Sequence, residues 1–247
     1  MKLHIALAHA MIRLGAFIQS SAVMVMSSDD LVEFSRQQYA KPTSIDSLNR
    51  ADVITGGFYP EERQLLECLP IRTGQLLLLG VGGGREAIPL AQMGFDVTCV
   101  DFIPAMVDRA IANAASCNTH IKGITQDISA LDVPADSYDV AWLSAAMYSC
   151  VPTRTRRVQI LQRVRRALKP GGYFACQFHW DTRQAFPRKG ERLRQIIRLA
   201  HAGQPLLRTR RYAVGQCGVY PRFFVGKRSA GGIRGRWVLC GMAEYSH

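Results

Sequence analysis

The stretch Leu76 to Asp101, LLLLGVGGGREAIPLAQMGFDVTCVD, constrains the fold of this chain more than any other. Leu76 to Leu79 is an apolar run without alternation, the pattern of a strand covered on both faces by helices. Gly80, Gly82 and Gly84 follow at once, and a turn this tight needs residues that tolerate positive φ and let a ligand approach the backbone. Glu86 to Met93 carries a helical pattern that Gly94 stops, and Phe95 to Val100 reads as a second strand ending on Asp101. A glycine turn alone also serves plain strand-to-helix connections. The acid narrows the reading: Asp101 comes 21 residues after Gly80, close to the ~20 of a nucleoside site in a βαβ unit, where it accepts hydrogen bonds from ribose hydroxyls.

The rest of the chain repeats the unit. Pro104 suits the first position of a helix over Ala105 to Ala115. Ile121 to Ile124 is a third strand ending in Thr125-Gln126-Asp127-Ile128, a polar turn at the ligand-binding edge of an open sheet, although Asp127 serves equally well as a cap. Tyr138 to Leu143 is a fourth strand that opens onto the small and polar run Ser144 to Cys150. A helix over Thr155 to Leu168 is closed by Lys169-Pro170-Gly171-Gly172, and a fifth strand, Tyr173 to Phe178, opens onto His179-Trp180-Asp181. The order βαβαβ followed by βαβ predicts an α/β protein with a doubly wound, mostly parallel sheet of the Rossmann-like kind. Upstream, Ser28 is the expected cap of a helix beginning near Asp29 and Asp30, Ala40 to Gly57 reads as a polar loop, and Pro60 to Leu69 as a short helix.

At 247 residues and 48% hydrophobic, the chain has ample material for a core. No apolar run reaches membrane-spanning length, since His9, Arg13 and Gln19 interrupt the nearest candidate, Ile5 to Met26. That stretch is also a poor signal peptide and reads as an amphipathic helix, with Ile12, Phe17 and Ile18 among the residues that could face the body of the protein and cover a cofactor mouth. An upstream extension that does not pack is the other reading, with Met11 and Met24 as further plausible starts. Seven cysteines without C-x-x-C spacing argue against a zinc site and a disulfide framework, so no metal is expected and a reducing cytoplasm is the natural setting. Cys99 and Cys176 fall in strands as small core residues. A net charge of +12 invites a nucleic-acid partner. Much of it, however, lies at Arg154, Arg156, Arg157, Arg163, Arg165, Arg166 and Lys169, a run on one helix that reads as a solvated face without interleaved aromatics. Nucleic acid is therefore not expected, and the oligomeric state is not legible.

From about Gln75 to Phe178 the chain resembles the class I S-adenosylmethionine-dependent methyltransferases. Gly80-Val81-Gly82-Gly83-Gly84 looks like their first motif, and Leu168-Lys169-Pro170-Gly171-Gly172 resembles the turn before their fifth strand. The resemblance implies S-adenosylmethionine as cofactor. Asp101 then matches the ribose acid, followed by Phe102; Asp127 and Ile128 stand where the family holds adenine, and Ser144 and Ala145 where it lines the methionine and the transfer site. Nicotinamide-binding folds lack the turn at Leu168 to Gly172, which places an NAD-dependent dehydrogenase behind this reading. One departure stands out: the acid usually found two residues before the first glycine is here Leu78. A non-catalytic or degenerate S-adenosylmethionine-binding module is accordingly the alternative.

Methyl transfer from a sulfonium is an in-line displacement that needs positioning and exclusion of water, with a base only where the acceptor must lose a proton. Candidates at the expected mouth are Tyr148, His179 and Asp181, each with a bland counterpart as wall residue, strand-end histidine and helix cap. No Asn-Pro-Pro-Tyr or Asp-Pro-Pro-Tyr follows the fourth strand and no cysteine is placed as a nucleophile, so a small-molecule acceptor is expected.

The expected division is an N-terminal helical lid or extension (1–49), a cofactor-binding core (50–181) and a basic C-terminal segment (182–247). After about Ala202 the chain shows neither helical nor strand period and carries Arg208, Arg210, Arg211, Arg222, Lys227, Arg228, Arg234 and Arg236 against a lone Glu244. Such a tail suits either an anionic partner or a reading frame that slips near residues 200–203. The slip explains both the lost period and the lost acids, because Arg210 to Phe223 can be encoded so that reading one nucleotide later gives Gly-Asp-Met-Leu-Trp-Gly-Asn-Val-Glu-Phe-Ile-His-Ala. Sequencing the gene checks this: the slip predicts an open second frame across residues 203–236, and stop codons there contradict it.

Overall fold

The apolar run at Leu76 lies at the centre of the sheet, where strands have neighbours on both sides and layers on both faces. The computed structural model describes residues 3–144, 147–181, 219–229 and 232–239. The chain divides into two units, one holding residues 1–35 and 182–218, the other 36–181 and 219–247. Of the first, the described part is α1 (Leu3–Val25) and the start of α2 (Ser28–Tyr39).

The second unit carries the sheet. Its elements are α3 (Pro42–Leu48), α4 (Ala51–Gly56), α5 (Pro60–Glu67), β1 (Gly74–Leu79), α6 (Ala87–Gln92), β2 (Phe95–Asp101), α7 (Pro104–Ser116), β3 (Lys122–Thr125), β4 (Tyr138–Leu143), α8 (Met147–Cys150), α9 (Arg154–Ala167), β5 (Leu168–Asp181), β6 (Val219–Ser229) and β7 (Gly232–Leu239). The strand order is β3-β2-β1-β4-β5-β6-β7. The first five strands pair in parallel, as expected from the βαβ pattern, and β6 and β7 add to the edge antiparallel. The chain leaves β1 in one direction toward β2 and β3 and returns on the other side to β4. The crevice between the carboxyl ends of β1 and β4 is thus the switch point at which open α/β sheets bind ligands.

Both faces of β1 are covered. Leu76 and Leu78 pack with Leu65, Leu90, Val107 and Trp142 on the α5–α6–α7 side, while Leu77 and Leu79 pack with Leu143, Ile160 and Val164 on the α9 side. Each of the four leucines is fully buried, which stabilises the fold by about 1.5–3 kcal/mol per side chain. Cys99 and Cys176 are buried core thiols as expected, and burial raises both pKa values, that of Cys99 to about 12.

Several local readings are corrected. Residues Ala40 to Gly57 are not a loop: α3 begins with Pro42 in its first turn and α4 buries Ile54 in the core. The polar average of the segment hides the helical spacing of Ile45, Leu48 and Ile54. The cap of α2 is Ser27 rather than Ser28, because Ser27 Oγ accepts from Asp30 N at 3.2 Å while Asp30 Oδ2 accepts from Ser27 N at 2.9 Å. In α1 the helix forms, with Ile12 and Ile18 68% and 60% exposed; the side chain of Phe17 lies outside the described residues. The turn at Lys169 to Gly172 is absorbed into β5 as an irregularity, where register passes from Leu168 opposite Tyr138 to Tyr173 opposite Val140 and Gly171 takes φ of 83°. The C-terminal stretch that shows no strand period nonetheless supplies β6 and β7, since ladder pairing uses backbone groups whatever the side chains are. Arg228 anchors β6 through Asp136 and the carbonyl of Leu168. Residues 200–203, where a frame slip is expected, lie outside the described residues.

Replacing Leu78 with alanine removes a fully buried side chain at the sheet centre and is expected to cost about 2–5 kcal/mol, read from the shift in urea midpoint at unchanged slope.

Candidate functional site

The glycine turn is held by what surrounds it. Gly80, Gly82 and Gly84 adopt φ of 89°, 50° and 96°, a region that side chains disfavour. Gly83 is confined for another reason: a Cβ there would lie 2.5 Å from the Leu48 carbonyl oxygen and 2.9 Å from Asn49 Oδ1. The segment α3–α4 therefore braces the turn from behind. Asn113 of α7 donates to both Asn49 Oδ1 (3.0 Å) and the Gly83 carbonyl (2.8 Å). A Cβ on Gly82, in contrast, would meet nothing within 4 Å.

Asp101 closes the turn from the neighbouring strand. Its Oδ2 accepts from Gly82 N at 3.3 Å and its Oδ1 from Ile103 N at 3.1 Å. Burial raises its pKa, and the amides of Ile103, Gly82, Phe102 and Val81 act against that rise. Phe102 is half-buried beside it, under the Arg36 guanidinium at 5.5 Å. The other expected residues are placed as follows. Asp127 accepts from Ser129 N (2.7 Å) and Ser129 Oγ (2.8 Å), so it is a cap in this structure, and Ile128 is in the core. Ser144 N donates to Leu79 O at 3.0 Å, tying the end of β4 to that of β1. Tyr148 packs against the α9-side core with the Arg157 guanidinium 5.8 Å from its ring centroid. Ala145 and the side chains of His179 and Asp181 lie outside the described residues.

The sequence reading missed a charged trio behind the turn. Arg85 is bidentate to Glu62 of α5, contacts Glu86 at 3.0 Å and lies 4.0 Å over the Tyr59 ring. Glu62 also accepts from Tyr59 N at 2.8 Å. Glu86 is only 3% exposed, and its side chain is hydrogen-bonded to that of Ser144. Burial, and next the neighbouring Glu62, pushes the Glu86 carboxyl up to about 8. Burial opposes ionisation of Glu62 as well, but its bonds from Arg85 and Glu86 outweigh this and hold it below the usual glutamate range. One guanidinium thus serves two carboxyls, and the one without the bidentate pairing keeps its proton. The Arg85-Glu86 pair directly after the turn was the available signal; Glu62, 23 residues before Arg85, was not.

The basic helix α9 is less solvated than its sequence implies. Arg157 donates to Val151 O at 2.9 Å, Arg163 to Leu131 O at 2.7 Å and Arg156 to Ser129 Oγ at 3.3 Å. Among the described residues no group of three or more His, Cys, Asp or Glu could hold a metal ion, and no helix is long and apolar enough to cross a membrane.

The raised Glu86 carboxyl predicts a signature in stability. Between the ordinary glutamate range and about 8 the folded chain binds more protons here than the unfolded one, so this contribution falls as pH rises through that window and is level above it. The lowered Glu62 acts only at acid pH, where its contribution is lost as pH falls. Denaturation midpoints measured across pH 5 to 9 should show the decline in the parent, and Glu86→Gln should flatten it.

Residues 76–172 match the family described as a methyltransferase domain. An uncharacterized methyltransferase, sll0829, from Synechocystis sp. is 32% identical over 144 residues, covering 58% of this chain. The chain spans 65% of that relative's length, just under two thirds. Among solved structures, the [4+2]-cyclase SpnF aligns with a TM-score of 0.50 at 18% identity over 62% of this chain and 61% of its own, a likeness of fold. The PH0226 protein of Pyrococcus horikoshii aligns at 25% identity with a TM-score of 0.49 over 63% of this chain and 71% of its own. Residues 76–172, which hold the glycine turn, Asp101 and the end of β4, are thus similar to methyltransferase domains.

Proposed function

We propose that the crevice at the carboxyl ends of β1, β2 and β4 binds S-adenosylmethionine and that the protein transfers its methyl group to a small-molecule acceptor. The observation that carries the reading is Asp101: a buried carboxyl at the end of β2, bonded to the glycine-turn amide of Gly82, on the sheet edge where a ribose would sit. The residues present fit the cofactor. Space is open over Gly82, the turn has backbone in place of side chains, and Asp101 supplies acceptor oxygens suited to two hydroxyl donors. S-adenosylmethionine supplies an activated methyl group. The chain's own part is to hold it and exclude water, which the apolar layers around β1 and β4 support.

Asp127 and Ile128 are proposed for the adenine end, and Ser144 with Ala145 for the methionine end; Tyr148, His179 and Asp181 remain the candidates for a base. The same proposal takes residues 1–49 as a helical extension and 182–247 as a segment whose frame slips near 200–203, so site residues are sought in the core. The same proposal places the protein in a reducing cytoplasm, for which the cysteine spacing without C-x-x-C is the support. Leu78, fully buried where the family usually carries an acid, favours one second reading: a module that binds the cofactor without transferring its methyl group. Fold alone does not decide, as the cyclase with a similar fold illustrates.

Calorimetry with S-adenosylmethionine and S-adenosylhomocysteine tests binding. The parent should bind both, and Asp101→Ala should bind at least tenfold more weakly, since a hydrogen bond to a charged group is worth about 1.5–3 kcal/mol. A parent that ignores both ligands, or a variant that binds like the parent, overturns the proposal. Release of S-adenosylhomocysteine with added acceptors separates enzyme from binder.

A further inference from the structure

Strand β5 carries, level with the carboxyl end of β4, a polar side chain whose amide oxygen has no hydrogen-bond partner among the described residues. Cys176 stands opposite Leu143 in the parallel β4–β5 register, so the next residue, Gln177, comes level with Ser144. Strand alternation puts Gln177 on the same face as Tyr173 and Ala175, the face shared with Trp142 and Leu78. Phe174 and Cys176 belong to the opposite face, against α9. Glu86 reaches Ser144 on the Gln177 side, because the residues following it in α6 pack in that same layer. Gln177 is therefore on the crevice side of the sheet, level with the carboxyl end of β4 and one strand beyond the switch point.

Its side chain is 8% exposed, and among the described residues its Oε1 has no hydrogen-bond partner. No other described buried side-chain nitrogen or oxygen shares that condition. Buried polar atoms are nearly always satisfied, and an orphan costs free energy that an apolar residue of similar size would avoid. Asp139, which lies lower on β4, shows the contrast, since Lys169 and the Gln75 amide take its carboxylate. An unmet amide oxygen at a ligand-binding edge is explained by a donor that arrives with the ligand.

We infer that Gln177 positions the methyl acceptor by receiving a hydrogen bond from an N–H or O–H group on it, which makes the substrate a protic small molecule, an amine or a hydroxyl compound. The inference rests on the proposed methyl-transfer reading. An amide carbonyl oxygen accepts a hydrogen bond but takes no proton at neutral pH, so Gln177 orients and does not act as base. In the transfer a lone pair on the acceptor atom forms the new bond to the methyl carbon while the carbon–sulfur bond breaks onto sulfur. The proton left on the acceptor atom goes to solvent.

Gln177→Leu removes the acceptor oxygen at similar volume. Calorimetry with S-adenosylhomocysteine comes first: parent and variant should bind it alike, and a parent that does not bind overturns the methyl-transfer reading itself. Turnover is then measured with primary amines and phenols beside tertiary amines and thioethers. The inference expects the parent to methylate protic compounds and the variant to lose at least tenfold in kcat/KM, mainly through KM. Protic turnover unchanged in the variant, or a parent that methylates only the aprotic set, overturns it. If no panel compound reacts, the melting temperature of the ligand-free proteins decides. A variant as stable as the parent or more so supports an oxygen kept for a ligand, and a drop beyond about 3 °C contradicts it.

Discussion

The arrangement at the site depends on one buried carboxyl. Asp101 ends a strand that is covered on both faces, and water that would solvate its charge is largely excluded. Backbone amides of the glycine turn and of the following residues return only part of that loss, which is why its pKa stays raised. The carboxyl thereby fixes the turn to β2 through Gly82, while Gly80 N bonds to Val100 O at 2.8 Å beside it. A ligand with hydroxyl groups at this edge would complete the set of donors. Structure and proposed function meet in that incompleteness.

Around this point the protein is built as a brace. Helices α3 and α4 occupy the space a side chain on Gly83 would need, and Asn113 links them to the turn's carbonyl. The Glu62–Arg85–Glu86 trio secures the start of α6 to α5 and, through Ser144, to the end of β4. Both sides of the switch-point crevice are thus tied by charged or amide groups in an apolar setting, where such bonds are directional and costly to break. An edge held this firmly suits chemistry that relies on placement.

The centre of the fold was legible because its signals are strong and local. Four successive leucines, closely spaced glycines and an acid at the expected distance specify β1, the turn, α6 and β2, and the observed bounds lie within a residue or two of the reading. Helices α3 and α4 escaped because each is under eight residues and mostly polar, so periodicity has little to act on. The capping residue of α2 was placed one position late, an ordinary ambiguity between adjacent serines. Tertiary facts were not legible at all. Nothing in the local sequence brings Glu62 to Arg85 or sets Gln177 level with Ser144; those follow from the packing of α5 and the register of β5. Asp127, open between cap and ligand contact, proves a cap in this structure, and the two roles do not exclude each other.

The central claim is that the glycine turn and the end of β2 together form the cofactor site. Amide hydrogen exchange with and without S-adenosylhomocysteine tests it directly. The account predicts slower exchange on binding in peptides spanning residues 76–86 and 99–104, with β3 and the far end of α7 unchanged. Exchange that is unaltered in both segments at saturating ligand, or protection confined to another part of the chain, would contradict it.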